Sequence, residues 1–459
     1  MGKNDFLTHV HIHGEEGIIP PVTMIPTLII SIATFLLITL SLFFFPSFSI
    51  KGFRIDCYWI IALLGAILLL SFSFAPIGEV FSQLTSDESI NPLKVLILFF
   101  SMTLLSIFLD ECGLFRVLAA KAARKSSSSQ LGLFLRFYVL TGLLTIFTSN
   151  DIVILTLTPF LCLFCKHAKI NPLPYLIAEF MAANTYSMAL VIGNPTNIYL
   201  ASSAGIDFFR YFFVMGLPTL AAGAVEVSLL LLLFWKKLKE PLAPFEENAH
   251  IESKVDLILG VAHLAVCLVF LALSNLFHLD MWLISLIAAV SLLLFALGER
   301  LITRKNWNYL GDTFKRLPYP LIPFFLSMFV IVVAFSSQGI TAMLGKALGE
   351  NATIYVYGYS SLAAANLINN IPMSILFASL PEALTEAARI QAIYATIIGS
   401  NIGAFLTPLG ALAGIMFSGL LSKYEVKYSF FDFAKYGFLV GIPAVTAALA
   451  TLSLTINFA

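Results

Sequence analysis

The sequence predicts an all-α polytopic membrane protein, with about ten to twelve transmembrane helices in two inverted repeats that carry re-entrant hairpins and interrupted helices. Three observations support this fold class. The composition is too apolar for a soluble protein, and long apolar runs recur along the chain. Polar, helix-breaking motifs interrupt those runs at matching places in the two halves.

The composition excludes a soluble enzyme. Of the 459 residues, 59% are hydrophobic and 11% are charged, and the mean hydropathy is +0.93, whereas soluble domains contain roughly 25% charged residues. Apolar runs of roughly 18–25 residues, which can cross ~30 Å of hydrocarbon, recur from Met24 onward. The formal net charge is zero, so no broad basic face is available for nucleic acid. We expect a multi-pass protein of the cell membrane.

Basic residues indicate the orientation of the chain, because Lys and Arg mark cytoplasmic loops. Lys51 and Arg54 follow the first apolar run, whereas the acidic residues Glu79, Asp87 and Glu88 follow the second. Further basic clusters lie at 116–125, 236–239 and 300–316. We therefore expect the N-terminus to lie outside.

A polar linker with Pro241 and Pro244 divides the chain near its middle. The expected divisions are an outer tail at 1–22, a first transmembrane half at 23–235 with repeat 1 at about 93–235, a cytoplasmic linker at 236–254, and a second half at 255–459 with repeat 2 at about 318–458.

A short motif recurs with the same spacing in both halves. Ser101-Met102 precedes Gly113 in the first half, and Ser327-Met328 precedes Gly339 in the second. The first copy follows an acidic, outer loop, whereas the second follows Arg316 on the expected inner side. The repeats are therefore predicted to have opposite topology, as alternating-access transporters do.

Each half also contains two polar interruptions of its apolar runs. Pro and Gly weaken a helix and leave backbone groups unpaired, which at membrane depth is tolerated only against protein or water. We predict that the interruptions converge near the midplane, where helix termini and neutral side chains bind a small substrate. The candidate substrate-binding residues are Ser149, Asn150, Thr158, Pro159, Gly193, Asn194, Pro195, Thr196, Asn197, Asn369, Asn370, Pro372, Ser400, Asn401, Gly403, Thr407, Pro408 and Gly410.

Asp151 is the acidic residue within these motifs. An ionisable side chain at membrane depth is a functional candidate, because holding its charge there is costly. With Asn150 and Asn370, Asp151 forms the predicted site for a coupling ion, H⁺ or Na⁺. Because Asp151 is expected to face the neutral Asn370, coupling should reside mainly in the first repeat. The alternative is an interfacial carboxylate at a helix start, beside the capping residues Ser149 and Asn150.

Other polar groups have simpler alternatives. The Asn and Thr side chains of the motifs could serve only to join helices by hydrogen bonds. Asp110-Glu111 fits a solvated helix end or a cytoplasmic entry, and Cys162 and Cys165 fit buried small hydrophobes. The run His9, His11 and His13 could bind Zn or Cu but fits a flexible outer tail. No phosphate loop is present, and no cofactor is expected.

Together the motifs resemble the ion transporter superfamily, and within it the arsenite permease (arsenical pump membrane protein) and anion permease family, over about Ile60 to Phe458. The segment 109–115, Leu-Asp-Glu-Cys-Gly-Leu-Phe, resembles that family's Leu-Asp-Glu-Ser-Gly-Phe-Phe. Asn150-Asp151 with Thr158-Pro159 resembles its Asn-Asp and Thr-Pro. The segments 369–372 and 407–410 resemble its Asn-Asn-x-Pro and Thr-Pro-Ile-Gly.

The resemblance implies an elevator-type, ion-coupled secondary transporter, which moves arsenite, antimonite or another small inorganic or organic anion. A membrane enzyme or sensor is not expected, because the motifs contain no His, and Cys162 and Cys165 have no partner with which to form a nucleophile and base. The resemblance also implies a homodimer surrounded by membrane lipid, and it allows an ATPase subunit as partner. The chain departs from the arsenite pattern at Asn401, where an acidic residue is expected, and at 193–197, which is closer to other branches. The alternatives are a Na⁺-coupled citrate, dicarboxylate or inorganic anion transporter and a sodium–proton antiporter.

Overall fold

The computed structural model describes residues 23–50, 53–86, 91–124, 129–241, 250–303 and 308–458. The histidine run His9, His11 and His13 lies outside the described residues. The helices are α1 (Met24–Phe44), α2 (Cys57–Ser71), α3 (Ile77–Thr85), α4 (Pro92–Glu111), α5 (Leu114–Arg124), α6 (Gln130–Phe147), α7 (Asn150–His167), α8 (Leu173–Tyr186), α9 (Pro195–Ser203), α10 (Phe208–Leu238), α11 (Lys254–Ala272), α12 (Met281–Thr303), α13 (Asn308–Lys315), α14 (Leu321–Ser337), α15 (Ile340–Leu348), α16 (Thr353–Ile368), α17 (Asn370–Ser379), α18 (Glu386–Gly403), α19 (Leu412–Lys423) and α20 (Phe430–Thr455).

The described residues confirm an all-α polytopic membrane protein, apart from one antiparallel hairpin of β1 (Ser47–Ile50) and β2 (Phe53–Asp56). Eight of their helices are long and apolar enough to cross a membrane, or nine if α14 and α15, which meet at 80°, form one broken span. This is fewer than the ten to twelve spans that the apolar runs predict, because the interruptions divide some runs into shorter pieces. For example, α17 has 10 residues and α19 has 12.

Two sets of seven helices follow one another in the same order along the chain, α4 to α10 and α14 to α20. The first helix of each set is followed by a glycine in the left-handed region, Gly113 with φ 82° and Gly339 with φ 72°. Glycine adopts this conformation without the steric cost of a Cβ. The shared Ser-Met and Gly spacing therefore marks the same turn in both sets, while their opposite orientation stays a prediction from the charges.

The two sets are packed into one another. α7 packs against α19, α9 against α17, and α10 against α20. The remaining helices cover the first member of each set, since α2 packs against α14 and α12 against α4. Helices next to an interruption in one repeat, α7 and α9, therefore contact helices next to an interruption in the other repeat, α19 and α17.

Candidate functional site

The first interruption is the tip of the α6–α7 hairpin, where Thr148 and Ser149 join the two helices. The side chain of Ser149 makes no capping hydrogen bond to α7. The Asn150 side chain donates from Nδ2 to Asn184 Oδ1 of α8 at 3.2 Å. Ser149 Oγ and Asn150 Oδ1 are both buried and have no hydrogen-bond partner. The tip therefore presents two free buried oxygens.

The second tip, between α16 and α17, rests on the break between α18 and α19. Asn369 has φ 72° and caps α17, since its Oδ1 accepts from the Ile371 N–H at 3.3 Å. Its Nδ2 donates to the Leu409 carbonyl at 3.1 Å, and the Asn370 N–H donates to the Gly410 carbonyl at 3.0 Å. Hairpin and break thus form one docked unit within the second repeat.

The break between α8 and α9 is an irregular segment with two short 3₁₀ turns, Ser187–Ala189 and Val191–Gly193. Asn194 then caps α9, its Oδ1 accepting from the Thr196 N–H at 3.2 Å. A Cβ at Gly193 would collide with the backbone carbonyl of Ser187. Glycine at 193 is therefore required because the chain folds back on itself there.

Asn401 of α18 inserts into this break from the other repeat. Its Oδ1 accepts from Ser187 Oγ at 2.7 Å and from Asn194 Nδ2 at 3.3 Å. Its Nδ2 donates to Asn197 Oδ1 at 2.6 Å. The neighbouring Ser400 donates to Thr196 Oγ1 at 3.1 Å. The predicted motifs 193–197 and 400–401 thus come together.

A continuous series of polar contacts links the two hairpin tips. From Asn150 it passes through Asn184 to Ser187, whose hydroxyl reaches both the Asn184 carbonyl at 2.7 Å and Asn401. From Ser400, next to Asn401, it continues to Ser374 at 3.5 Å, and Ser374 donates to the Asn370 carbonyl at 2.8 Å. We call this series, Asn150–Asn184–Ser187–Asn401–Ser400–Ser374–Asn370, the polar chain. It crosses from one repeat to the other through neutral groups.

Asn184 and Asn401 occupy equivalent positions, since each lies two residues before the end of its helix, Tyr186 or Gly403. All the side chains of the polar chain are buried. A solute can reach them only if the surrounding helices move, and in this conformation the site is closed.

Two predicted motifs lie apart from the polar chain. Thr158 donates to Glu179 Oε2 at 3.1 Å, and α7 continues through Pro159. The proline removes one backbone donor without ending the helix. Thr407 donates to Asn366 Oδ1 at 2.7 Å, and the half-buried Pro408 follows it in the α18–α19 break. Their roles in substrate binding stay predictions.

Asp151 lies in the first turn of α7 and is partly exposed. Among the described residues, no hydrogen bond or ion pair reaches its carboxylate, and the hydroxyl of Tyr58 on α2 lies within electrostatic range. Among the described residues no hydrogen bond joins Asp151 to Asn370, and the hairpin tip is linked to Asn370 through the polar chain. Asp151 directly follows Ser149 and Asn150 in the chain, and unpaired oxygens and carboxylates are ligands that hard cations prefer.

Sequence reasoning missed several buried residues of this region. Asn184, Ser187 and Ser374 complete the polar chain, and Glu179 and Glu226 are fully buried carboxylic acids on α8 and α10. A single acidic residue within an apolar run was a usable signal for both glutamates. The partners of the smaller polar residues depend on contacts with distant parts of the chain.

The interpretation of Asp110 as a solvated helix end is wrong. Asp110 is buried, because Arg316 pairs with its Oδ2 at 2.6 Å and Thr156 of α7 donates to the same atom at 2.7 Å. Arg316 also pairs with Glu111 at 2.6 Å. The carboxylate therefore joins the end of α4, the approach to α14 and the α6–α7 hairpin.

Replacing Gly193 with alanine should lower the free energy of unfolding by about 1–3 kcal/mol, because the new methyl group would force the 187–193 backbone apart. Thermal unfolding of the purified protein measures the change. Gly419→Ala in α19 is the matched control, since nothing lies within 4 Å of a Cβ there. Equal melting temperatures for the two variants would contradict the close approach of Gly193 to the Ser187 carbonyl.

Comparison with known proteins supports the same architecture. The model of the citrate transporter family matches residues 58–397. A putative arsenical pump membrane protein of Bacillus subtilis is 26% identical over 82% of this chain and 89% of its own length. An arsenical pump membrane protein of Escherichia coli is 26% identical over 78% of this chain and 86% of its own length.

The fold is also present among solved structures. The YdaH transporter of Alcanivorax borkumensis, described as having an unusual topology, aligns with a TM-score of 0.53 at 16% identity, over 94% of this chain and 98% of that one. At this identity the likeness concerns the fold alone. Because the family model covers most of the chain, the protein belongs to the citrate transporter family.

Proposed function

We propose that the protein is an ion-coupled secondary transporter that exports arsenite or antimonite. The observation that carries the proposal is the polar chain, in which neutral amide and hydroxyl groups of both repeats meet at a closed, buried site. Such groups suit an uncharged trihydroxy species, which offers donors and acceptors without requiring a cationic side chain. The arsenical pump relatives agree with this substrate class.

A carboxylate such as citrate is the second candidate, favoured by the helix termini at the breaks. α7, α9, α17 and α19 all begin there, and each helix N-terminus carries roughly half a positive charge. The described contacts of the polar chain include no Lys or Arg side chain. A di- or trianion would therefore be bound by helix N-termini and neutral donors without a cationic side chain, and we propose arsenite ahead of citrate for this reason.

The coupling ion is proposed to bind at the α6–α7 tip, between the Asp151 carboxylate and the free oxygens of Ser149 and Asn150. Oxygen-rich ends of broken helices are suitable sites for H⁺ or Na⁺ in transporters. Movement of the interrupted helices of both repeats against α1–α4 and α11–α14 would then open the closed site, as in an elevator mechanism. The homodimer and the ATPase subunit that the resemblance implies remain proposals.

A thermal-shift series on the purified protein tests the substrate class. The melting temperature should rise with arsenite and antimonite, because a ligand that binds only the folded state stabilises it by mass action. Citrate, succinate and phosphate, each tested with and without Na⁺, should leave it unchanged. Stabilisation by citrate but not by arsenite would overturn the first candidate in favour of the second.

Asp151→Asn should lower arsenite accumulation in everted vesicles at least about tenfold, equivalent to a loss of about 1.4 kcal/mol of ion binding. The amide keeps the size of the side chain and removes its charge. Asp312→Asn is the control, because Asp312 pairs with Lys315 on an exposed surface. Unchanged accumulation by the Asp151 variant would remove Asp151 from the coupling site.

A further inference from the structure

Glu226 is a buried carboxylic acid deep in α10 that the proposed substrate and coupling sites do not use. Its side chain is fully buried. Lys236, ten residues later in the same helix, belongs to the cluster expected at the cytoplasmic surface. At 1.5 Å per residue, Glu226 lies ~15 Å inside that surface, near the midplane of a ~30 Å hydrocarbon core.

The carboxyl accepts a hydrogen bond from α8 and lies within interaction range of the Tyr138 hydroxyl of α6. Glu226 Oε2 accepts from Thr185 Oγ1 of α8 at 2.5 Å, and Oε1 has no partner. The nearest titratable groups are Tyr138 of α6, whose hydroxyl donates to the Gly223 carbonyl at 2.9 Å, and Tyr186 of α8. Neither tyrosine supplies a positive charge.

The helices packed on α10 bring no positively charged partner to Glu226 within the described residues, since Arg136 of α6 is partly exposed and does not interact with the carboxyl. The titratable residues of α20 (Asp432, Lys435 and Tyr436) all lie in its first two turns. On α11, Asp256 is paired with Arg300 and His263 bonds to Leu259 and Ser291, while Lys254 lies at the helix start. An isolated carboxylate at such a depth is costly, so the closed state favours the neutral acid.

The end of α8 connects this carboxyl to the polar chain. Thr185 donates to Glu226, and Ser187, two residues later, contacts Asn401. Tyr186, between them, is wedged against α6 and α10, since a Cβ at Gly142 would lie 2.9 Å from its ring and one at Gly223 2.5 Å from its hydroxyl. A change in the α8–α9 break therefore alters the surroundings of the carboxyl.

We propose that Glu226 is a proton-binding site of the transporter, which holds a proton while the α8–α9 break is closed and releases it when the break opens. The second repeat lacks this group, because Ala448 stands at the equivalent distance from the start of α20. One such proton is therefore expected per chain. The inference rests on the proposed ion-coupled transport, and its test has a readout that does not require transport.

Infrared difference spectroscopy of the full-length protein in lipid tests the proposal directly. A protonated carboxylic acid has a carbonyl band distinct from that of a carboxylate, and on raising the pH the wild-type band should disappear. Glu226→Gln should remove one component of the pH-dependent acid signal, whereas Glu179→Gln, which alters the other fully buried glutamate of the described residues, should leave that component in place. If the whole pH-dependent acid signal persists in Glu226→Gln, or if the wild type shows none, the proposal is overturned.

Two further measurements separate the possible outcomes. Thr185→Val leaves the carboxyl in place and removes its hydrogen bond, so the acid band should shift in frequency, and this test stands if Glu226→Gln does not fold. In proteoliposomes, arsenite accumulation driven by a pH gradient should fall in Glu226→Gln to the level without a gradient. If wild-type protein transports neither arsenite nor citrate, the proposed function fails while the infrared result still decides the proton site.

Discussion

Asn401→Ala is expected to lower arsenite transport by at least about tenfold. The substitution leaves Ser187, Asn194 and Asn197 without their shared partner. A buried polar group that loses its hydrogen bond costs about 1–3 kcal/mol, and 1.4 kcal/mol already corresponds to a factor of ten. Initial rates of arsenite uptake into everted vesicles, normalised to the amount of protein in the membrane, measure the effect.

The control for this prediction is Asn275→Ala, which removes an exposed amide of the loop between α11 and α12. Its uptake rate should equal that of the wild type. If Asn401→Ala transports arsenite at the wild-type rate, the contact between α18 and the α8–α9 break is not part of the binding site.

Arg300→Ala is expected to lower the free energy of unfolding by about 3–5 kcal/mol, which is the cost of leaving a buried charge unpaired. Arg300 of α12 makes two hydrogen bonds to the Asp256 carboxylate of α11, at 3.0 and 3.1 Å, and its guanidinium lies 4.6 Å from the Tyr309 ring centre. Both charged side chains are almost fully buried. Unfolding of the purified protein in detergent measures the loss.

Two further variants show whether the loss of stability comes from the buried Asp256–Arg300 pair or from the removal of any charged side chain. The double variant Asp256→Asn with Arg300→Met should recover most of the stability, because it removes both charges together. Lys315→Ala breaks an exposed pair with Asp312 and should change stability by less than about 1 kcal/mol. Equal losses for Arg300→Ala and the double variant would contradict the assignment.

The sequence predicted the fold through patterns that local chemistry determines. Local backbone conformation determines the features that the prediction used. These are the apolar runs, the spacing from Ser101 to Gly113 and from Ser327 to Gly339, and the motifs around Asn150, Asn194, Asn369 and Asn401. Gly113 and Gly339 adopt the left-handed turn that glycine favours. Breaks occur where Asn, Gly and Pro cluster, whereas the isolated Pro159 is accommodated within α7.

The contacts within the site could not be predicted in the same way. Ser187 and Asn401 are 214 positions apart, and only tertiary packing brings them together. Asn150 bonds to Asn184 of its own repeat, and it reaches Asn370 of the other repeat only through the further members of the polar chain. Tertiary packing also buries Asp110, because Arg316 of the second half of the chain pairs with it.

Locating bound substrate in the structure is the most direct test of the proposal that the polar chain forms the binding site. Antimonite is suited to this measurement, because antimony scatters anomalously and identifies its own position. In crystals grown with antimonite, we expect an anomalous difference peak beside the polar chain, within hydrogen-bond reach of Asn401 and the α8–α9 break. A fully occupied peak elsewhere in the molecule, with none beside Asn401, would contradict it.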